Sequence, residues 1–369
     1  MYGRTYAPNG HMKDISLLQC HGSFSYNFGS TFPLTRYTCR FALIGIHVDS
    51  MKDAAFFKAH VDYKELAYWC PPSNIVALYS NEAISLKISI ADNDDRVKAS
   101  VKLDDETVLQ LKEAVSYHPE YPKVDIEQET YLEILKEGIS AWDILCLARG
   151  FERFLSIPVL RAVEHGRIVM YSRKRFQERD NDEPLYHSIE LISCRYNELE
   201  QDLSKFPDYL FRYEDVANNF GEMFKKVYTD KNIAQILSNF IDSLEKKRVF
   251  TSNDFLVVAQ AIDGFAMRFR KEKGVLEEYT DLRDEFADIR KMKLSDEDLK
   301  TAAGSRNYYS HILKLEKKEA KGAVDGVQLL NLTEKLRVLL LCCVLNFLGM
   351  SNEKINDLLE KCNNRVVRH

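Results

Sequence analysis

No stretch of this sequence is apolar for long enough to cross a bilayer, which takes about 20 residues of helix. The most apolar segment, Val338 to Leu345, is flanked by Glu334, Lys335 and Arg337 on a helical pattern and reads as a buried core helix. The eight cysteines are scattered, with no CxxC pair and no signal peptide ahead of them, so a secreted disulfide scaffold is not expected and the reducing cytoplasm is. Cys20, His21, Cys39 and His47 share one short stretch. Their spacings are not those of a zinc knuckle, so zinc there is the weaker reading and no metal or cofactor is expected. The first half has no P-loop, no glycine-rich dinucleotide fingerprint and no nucleophile motif, which removes the grounds for a small-ligand hydrolase there. Positive charge is not in excess either: Lys and Arg number 51 against 56 Asp and Glu, for a net charge of −5. A nucleic acid would therefore have to be drawn by a local basic patch against the charge of the whole. Internal repeats and long low-complexity segments are also missing, which excludes solenoids and disordered tails.

What is present fits two folded modules. At 369 residues the chain exceeds the size at which one core stops growing, and 45% apolar with 29% charged residues is a globular balance. Ile84, Leu86, Ile88 and Ile90 alternate with polar residues, and so do Val97, Ala99, Val101 and Leu103. With Asp92 to Asp95 as a turn, the two runs predict an antiparallel hairpin. Further strands are expected at 38–48, 55–63, 74–79, 130–135, 167–172 and 186–192, many of them rich in β-branched or aromatic residues. Ser140 is placed to cap a helix through Trp142, Ile144, Leu145, Ala148 and Phe151. The polar run from Arg173 to Pro184 reads as a solvated surface loop rather than a basic RNA contact.

From about Glu214 the period becomes helical, with helices expected at 253–270, 276–291, 296–309, 327–348 and 352–362. Gly349 is suited to end the long one and Ser351 to cap the next. The expected fold is α+β multidomain: a β-rich N-terminal domain with a packed helix over 1–195, a connecting segment over 196–214, and an all-α bundle over 215–369.

Near the end of one helix stands Arg306-Asn307-Tyr308-Tyr309-Ser310-His311, an arginine and a histidine five residues apart. On a regular helix such residues are about 140° apart in projection, so either the helix ends between them or the site is completed elsewhere. The bland alternative is structural: His311 caps a helix end, and Arg306 pairs with an acid such as Glu297 or Asp298. The motif, its all-α setting and the helix Val257 to Phe265 (VVAQAIDGF) resemble the Apea-like HEPN ribonuclease family. VDYKELAYWCPP, Val61 to Pro72, is similar to the ApeA-type N-terminal domain of bacterial anti-phage proteins. The resemblance covers roughly 15–195 and 215–369.

The resemblance implies an endoribonuclease acting in abortive infection, with RNA, and a tRNA in particular, as its substrate. Cleavage would proceed by attack of the ribose 2′-hydroxyl and leave a 2′,3′-cyclic phosphate, for which a proton-transfer group and a fixed positive charge suffice. His311 takes the first role, Arg306 clamps the phosphate, and Asn307 positions by hydrogen bonding. Tyr308 and Tyr309 are candidates for base stacking, with core packing as the alternative, and Lys314, Lys317, Lys318 and Lys321 for phosphate contacts. Asp263, on an earlier helix, is the candidate for orienting Arg306. In families of this kind two protomers bring their Arg/His pairs into one cleft, so a homodimer or higher homo-oligomer is expected. The β-rich domain is expected to bind a phage-derived trigger, with no membrane partner. HEPN toxins silenced by nucleotide transfer carry a tyrosine two residues after the histidine; here that position is Leu313, which argues against a nucleotidyltransferase antitoxin. The competing hypothesis is a non-catalytic RNA-binding or dimerisation scaffold.

Overall fold

The computed structural model describes residues 1–6, 12–24, 35–72, 75–79, 84–88, 96–120, 123–178, 184–193, 208–245, 249–271, 273–311 and 321–364. They fall into two compact units, Met1–Arg149 with Glu164–Leu203, and Gly150–Val163 with Ser204–His369. The division passes through one helix, Ala141–Val159.

The first unit is built on strands β1 (Tyr2–Tyr6), β2 (Met12–Phe24), β3 (Thr35–Ile44), β4 (Ala54–Asp62), β5 (Ile75–Tyr79), β6 (Ile84–Ile88), β7 (Val97–Lys102), β8 (Val108–Glu120), β9 (Lys123–Ser140), β10 (Ile168–Gln177) and β11 (Leu185–Ser193). Nine of them form one antiparallel sheet in the order β1-β2-β3-β11-β10-β4-β9-β8-β7, while β5 and β6 pair by themselves. Alternation fixes which face is buried: Ala59, Val61, Leu132, Ile134, Ile168 and Met170 are all in the core. A four-residue helix, α1 (Leu66–Trp69), follows β4, and α2 (Ala141–Val159) follows β9. Ser140 caps α2 as expected, its hydroxyl accepting from the Asp143 amide at 3.1 Å.

Two expectations are corrected here. The runs 84–90 and 97–103 do not pair with one another: β6 pairs with β5, and β7 with β8. Asp104 explains the second pairing, because its carboxylate accepts from the amides of Glu106 at 2.8 Å and Thr107 at 2.7 Å and so closes a tight turn between β7 and β8. The expected turn, Asp92 to Asp95, lies outside the described residues. Nor is Arg173 to Gln177 a loop; it extends β10, which pairs with both β4 and β11 up to Tyr171 and with β11 alone at Phe176 and Gln177. Solvent on both sides accounts for its polarity, with Arg173 held by Glu137 and Arg175 by Asp14.

Beside the β4–β9 pairing, Asp62 is pushed up to about 6 by burial and by the charge of Glu129, with Arg167 opposing. A raised carboxyl in the fold adds stability in full below the unfolded value near 4, and that contribution is lost as pH rises through about 6. Asp62→Asn is accordingly expected to raise the urea midpoint at pH 7.5 and to leave it nearly unchanged at pH 4. An equal shift at both pH values would show that the charge is not the cause.

The second unit is helical: beside the C-terminal part of α2 from Gly150, its described helices are α3 (Tyr213–Val216), α4 (Phe220–Thr229), α5 (Lys231–Leu244), α6 (Ser252–Phe269), α7 (Val275–Glu285), α8 (Asp296–Ser310), α9 (Gly326–Phe347) and α10 (Asn352–Lys361). Every residue from Val338 to Leu345 is buried in α9, the core helix anticipated from its apolar run. Gly349, at φ 95°, turns the chain beyond α9 where a side chain would be strained, and the Ser351 hydroxyl accepts from the Lys354 amide to start α10. The α7 helix ends at Glu285, short of the expected 291, because its last amides are taken up in tighter turns such as Phe286 to Arg283.

Candidate functional site

The candidate site sits at the C-terminal end of α8. That helix is firmly started: the Ser295 hydroxyl accepts from the Asp298 amide at 3.1 Å while the Asp298 carboxylate accepts from the Ser295 amide at 2.9 Å. Lys335 of α9 reaches the same carboxylate with 2.8 Å contacts to both oxygens. Asp298 is thereby occupied, and the expected structural pairing of Arg306 with Asp298 or Glu297 is not made. Arg306 turns instead to α6, where its Nε donates to Asp263 Oδ2 at 2.7 Å.

The pair is partly shielded, with side-chain exposures of 26% for Arg306 and 8% for Asp263. One Nη1 hydrogen goes to Asn307 Oδ1 at 3.3 Å. A guanidinium has five N–H donors, so Nη2 keeps its donors without a protein partner among the described residues. Asp263 Oδ1 is buried and has no hydrogen-bond partner among the described residues. Next to it stands Tyr279 of α7, wholly buried, its phenol pushed well above the ordinary value by burial and then by the Asp263 charge.

His311 is the first residue past α8, with φ −102° and ψ 2°, and its side chain is exposed. The helix therefore stops between Arg306 and His311, which removes the fixed angular separation that a continuous helix would impose. Tyr308 is buried, and its ring meets that of Tyr309 edge-on at 5.0 Å. Tyr309 packs on Phe255 and donates to the Val324 carbonyl at 2.9 Å. In this arrangement both rings belong to the packing of α8. Lys314, Lys317 and Lys318 lie outside the described residues, as does Leu313; Lys321 is described and exposed.

With this geometry in hand, sequence comparison gives two matches: residues 10–227 to ApeA N-terminal domain 1, and residues 225–354 to the Apea-like HEPN domain. The chain belongs to the ApeA-type HEPN family. The HEPN match contains Asp263, Arg306 and His311, and the ApeA match continues past the sheet into α4. No curated protein and no solved structure matches the chain. HEPN domains are generally nuclease-like, typically dimerise and act on RNA, and the ApeA pairing of domains gives this chain a ribonuclease-type, anti-phage class of function. Among the described residues, no helix is long and apolar enough to cross a membrane.

The HEPN unit also fixes where the chain returns after His311. A Cβ built on Gly304 would lie 1.8 Å from the Lys321 carbonyl oxygen, and the Ser305 hydroxyl accepts from the Val324 amide at 3.2 Å. The returning segment thus lies directly against α8 at the two residues before the arginine. Glycine inside a helix ordinarily costs about 1 kcal/mol relative to alanine, so by propensity alone Gly304→Ala should stabilise. The contact reverses the sign: the variant is expected to lower the thermal midpoint and to weaken any activity of the site by displacing the return. A higher midpoint with unchanged activity would contradict the close approach. Sequence reasoning passed over Gly304 and Tyr279 alike; the only signal for the first is a glycine inside a helical pattern.

Proposed function

We propose that this protein is a metal-independent endoribonuclease that acts as a homodimer or higher homo-oligomer in anti-phage defence and cuts RNA, with tRNA as the substrate. The observation that carries the reading is the anchoring of Arg306 at Nε by a buried carboxylate, which fixes the guanidinium while leaving its outer edge available. Such a cation, held in advance, can donate to two phosphate oxygens as negative charge builds up in the transition state. His311, exposed just beyond the helix end, either takes the proton of the 2′-hydroxyl or delivers one to the departing 5′-oxygen, and water exchanges the other proton. The 2′-oxygen bonds to phosphorus as the P–O5′ bond breaks, and the products are a 2′,3′-cyclic phosphate and a free 5′-hydroxyl. Asn307, whose side-chain oxygen already accepts from Arg306, steadies the clamp and offers its amide to the substrate. The dimer follows from the family's habit of joining two Arg/His pairs in one cleft.

The first unit is the candidate sensor, binding a phage-derived trigger and releasing the HEPN site. A test in cells is direct: after phage challenge, wild-type protein is expected to arrest its host and His311→Ala protein is not. Equal harmlessness of the two would remove the main support for this reading and favour the scaffold.

A further inference from the structure

Arg306 rests on Asp263, and what holds Asp263 is the remaining question. Its side chain is 8% exposed and only Oδ2 has a partner, the Arg306 Nε; Oδ1 is buried with none among the described residues. An ionised oxygen left unpaired in the interior costs more than almost any other single defect, so a donor within reach is to be expected. The Tyr279 phenol is the group in place. Its hydroxyl makes a long bond, 3.4 Å, to the carbonyl of Ala259, and Ala259 lies one turn before Asp263 on α6. That carbonyl is already the helical acceptor for the Asp263 amide, so the phenol gains little there. The Asp263 carboxylate is within side-chain hydrogen-bonding reach of the same phenol.

We propose that Tyr279 is a positioning residue for the site, donating its hydroxyl to Asp263 Oδ1 so that phenol, carboxylate and guanidinium form one chain that fixes the direction of Arg306. This inference rests on the ribonuclease reading for its consequence, though not for the contact itself. With both oxygens engaged the carboxylate cannot rotate, and the guanidinium on Oδ2 is held in one orientation. Tyr279 touches neither RNA nor the reacting atoms and works through Asp263. The sequence gives no hint of it, because a tyrosine three residues before Leu282 looks like any residue on a buried helical face.

The test is a double-mutant cycle on the full chain with Tyr279→Phe, Asp263→Ala and the pair, read by urea unfolding and by tRNA cleavage, with His311→Ala as a control. Tyr279→Phe keeps the ring and removes the donor. It is expected to lower the cleavage rate about tenfold, as for loss of one hydrogen bond to a charged group. It should also lower the unfolding midpoint in the wild-type background and to a much smaller extent once Asp263 is gone. If Asp263→Ala does not fold, Asp263→Asn serves in its place. Additive effects on unfolding would overturn the contact, and wild-type cleavage kinetics in Tyr279→Phe would overturn the positioning role. Coupled unfolding together with identical silence of wild type and His311→Ala on RNA would uphold the contact and sink the ribonuclease reading instead.

Discussion

Replacing Arg306 with alanine is expected to abolish RNA cleavage and to destabilise the helical unit together. The activity loss should be about 10²- to 10³-fold or more, the range for removing a preorganised donor from a developing oxyanion. The stability loss has a separate cause. With Arg306 gone, Asp263 keeps a buried carboxylate whose Oδ2 loses its 2.7 Å partner, and the Tyr279 phenol proposed for Oδ1 is neutral and cannot replace the lost cation. Breaking a shielded ion pair by removing one member costs about 3 to 5 kcal/mol, and the lower end applies here because Arg306 retains 26% of its exposure. Arg306→Lys separates the two effects. A lysine restores part of the charge pairing and so part of the stability, but one ammonium cannot bond Asp263 and also present a planar pair of donors to phosphate. Urea unfolding and cleavage measured on the same preparations decide this. An alanine variant that unfolds at the wild-type midpoint would show that the Arg306–Asp263 pair carries no structural weight.

His311→Ala is the complementary case, with activity lost and stability kept. The imidazole is exposed and stands one residue beyond the end of α8, so its removal should shift stability by no more than about 0.5 kcal/mol. Loss of the proton-transfer group should nonetheless lower cleavage by about 10²- to 10⁴-fold. Arg306 and His311 are thus expected to diverge in unfolding experiments while agreeing in cleavage assays, although the sequence presents them as one motif. A large stability loss in His311→Ala would favour the structural reading, in which the histidine serves the helix end.

Features set by neighbours in sequence were legible in advance. Ser140, Gly349 and Ser351 act at helix ends through bonds spanning a few residues, and each does so where the pattern placed it. The burial of Val338 to Leu345 was equally plain, since eight apolar residues in succession leave a helix no polar face there. Pairing across distance was less so. The alternation in β6 and β7 identified two strands but not their partners, because period two shows a strand's faces and not its neighbour. The turn that decided the matter, Asp104 to Thr107, was hidden among other acidic residues.

The same limit applied at the site. Glu297 and Asp298 on its own helix are the acids that the structural alternative offers Arg306, and Asp263 is the one offered as its orienting acid; the carboxylate it meets is that of Asp263, 43 residues away. Asp263 is legible as a candidate because it is an acid on a largely apolar helical stretch whose burial demands a cation. Gly304 and Tyr279 were not, because what they do depends on which backbone and which carboxylate the fold brings alongside.

The central claim is that Arg306 and His311 cut RNA without a metal. Its most direct test is incubation of purified wild-type and His311→Ala protein with total tRNA in EDTA, followed by gel analysis and mapping of the new ends. Cleavage by the wild type alone, leaving 2′,3′-cyclic phosphate and 5′-hydroxyl termini, is the result the account predicts. Equal cleavage by both proteins, or cleavage by the wild type that EDTA abolishes, would contradict it.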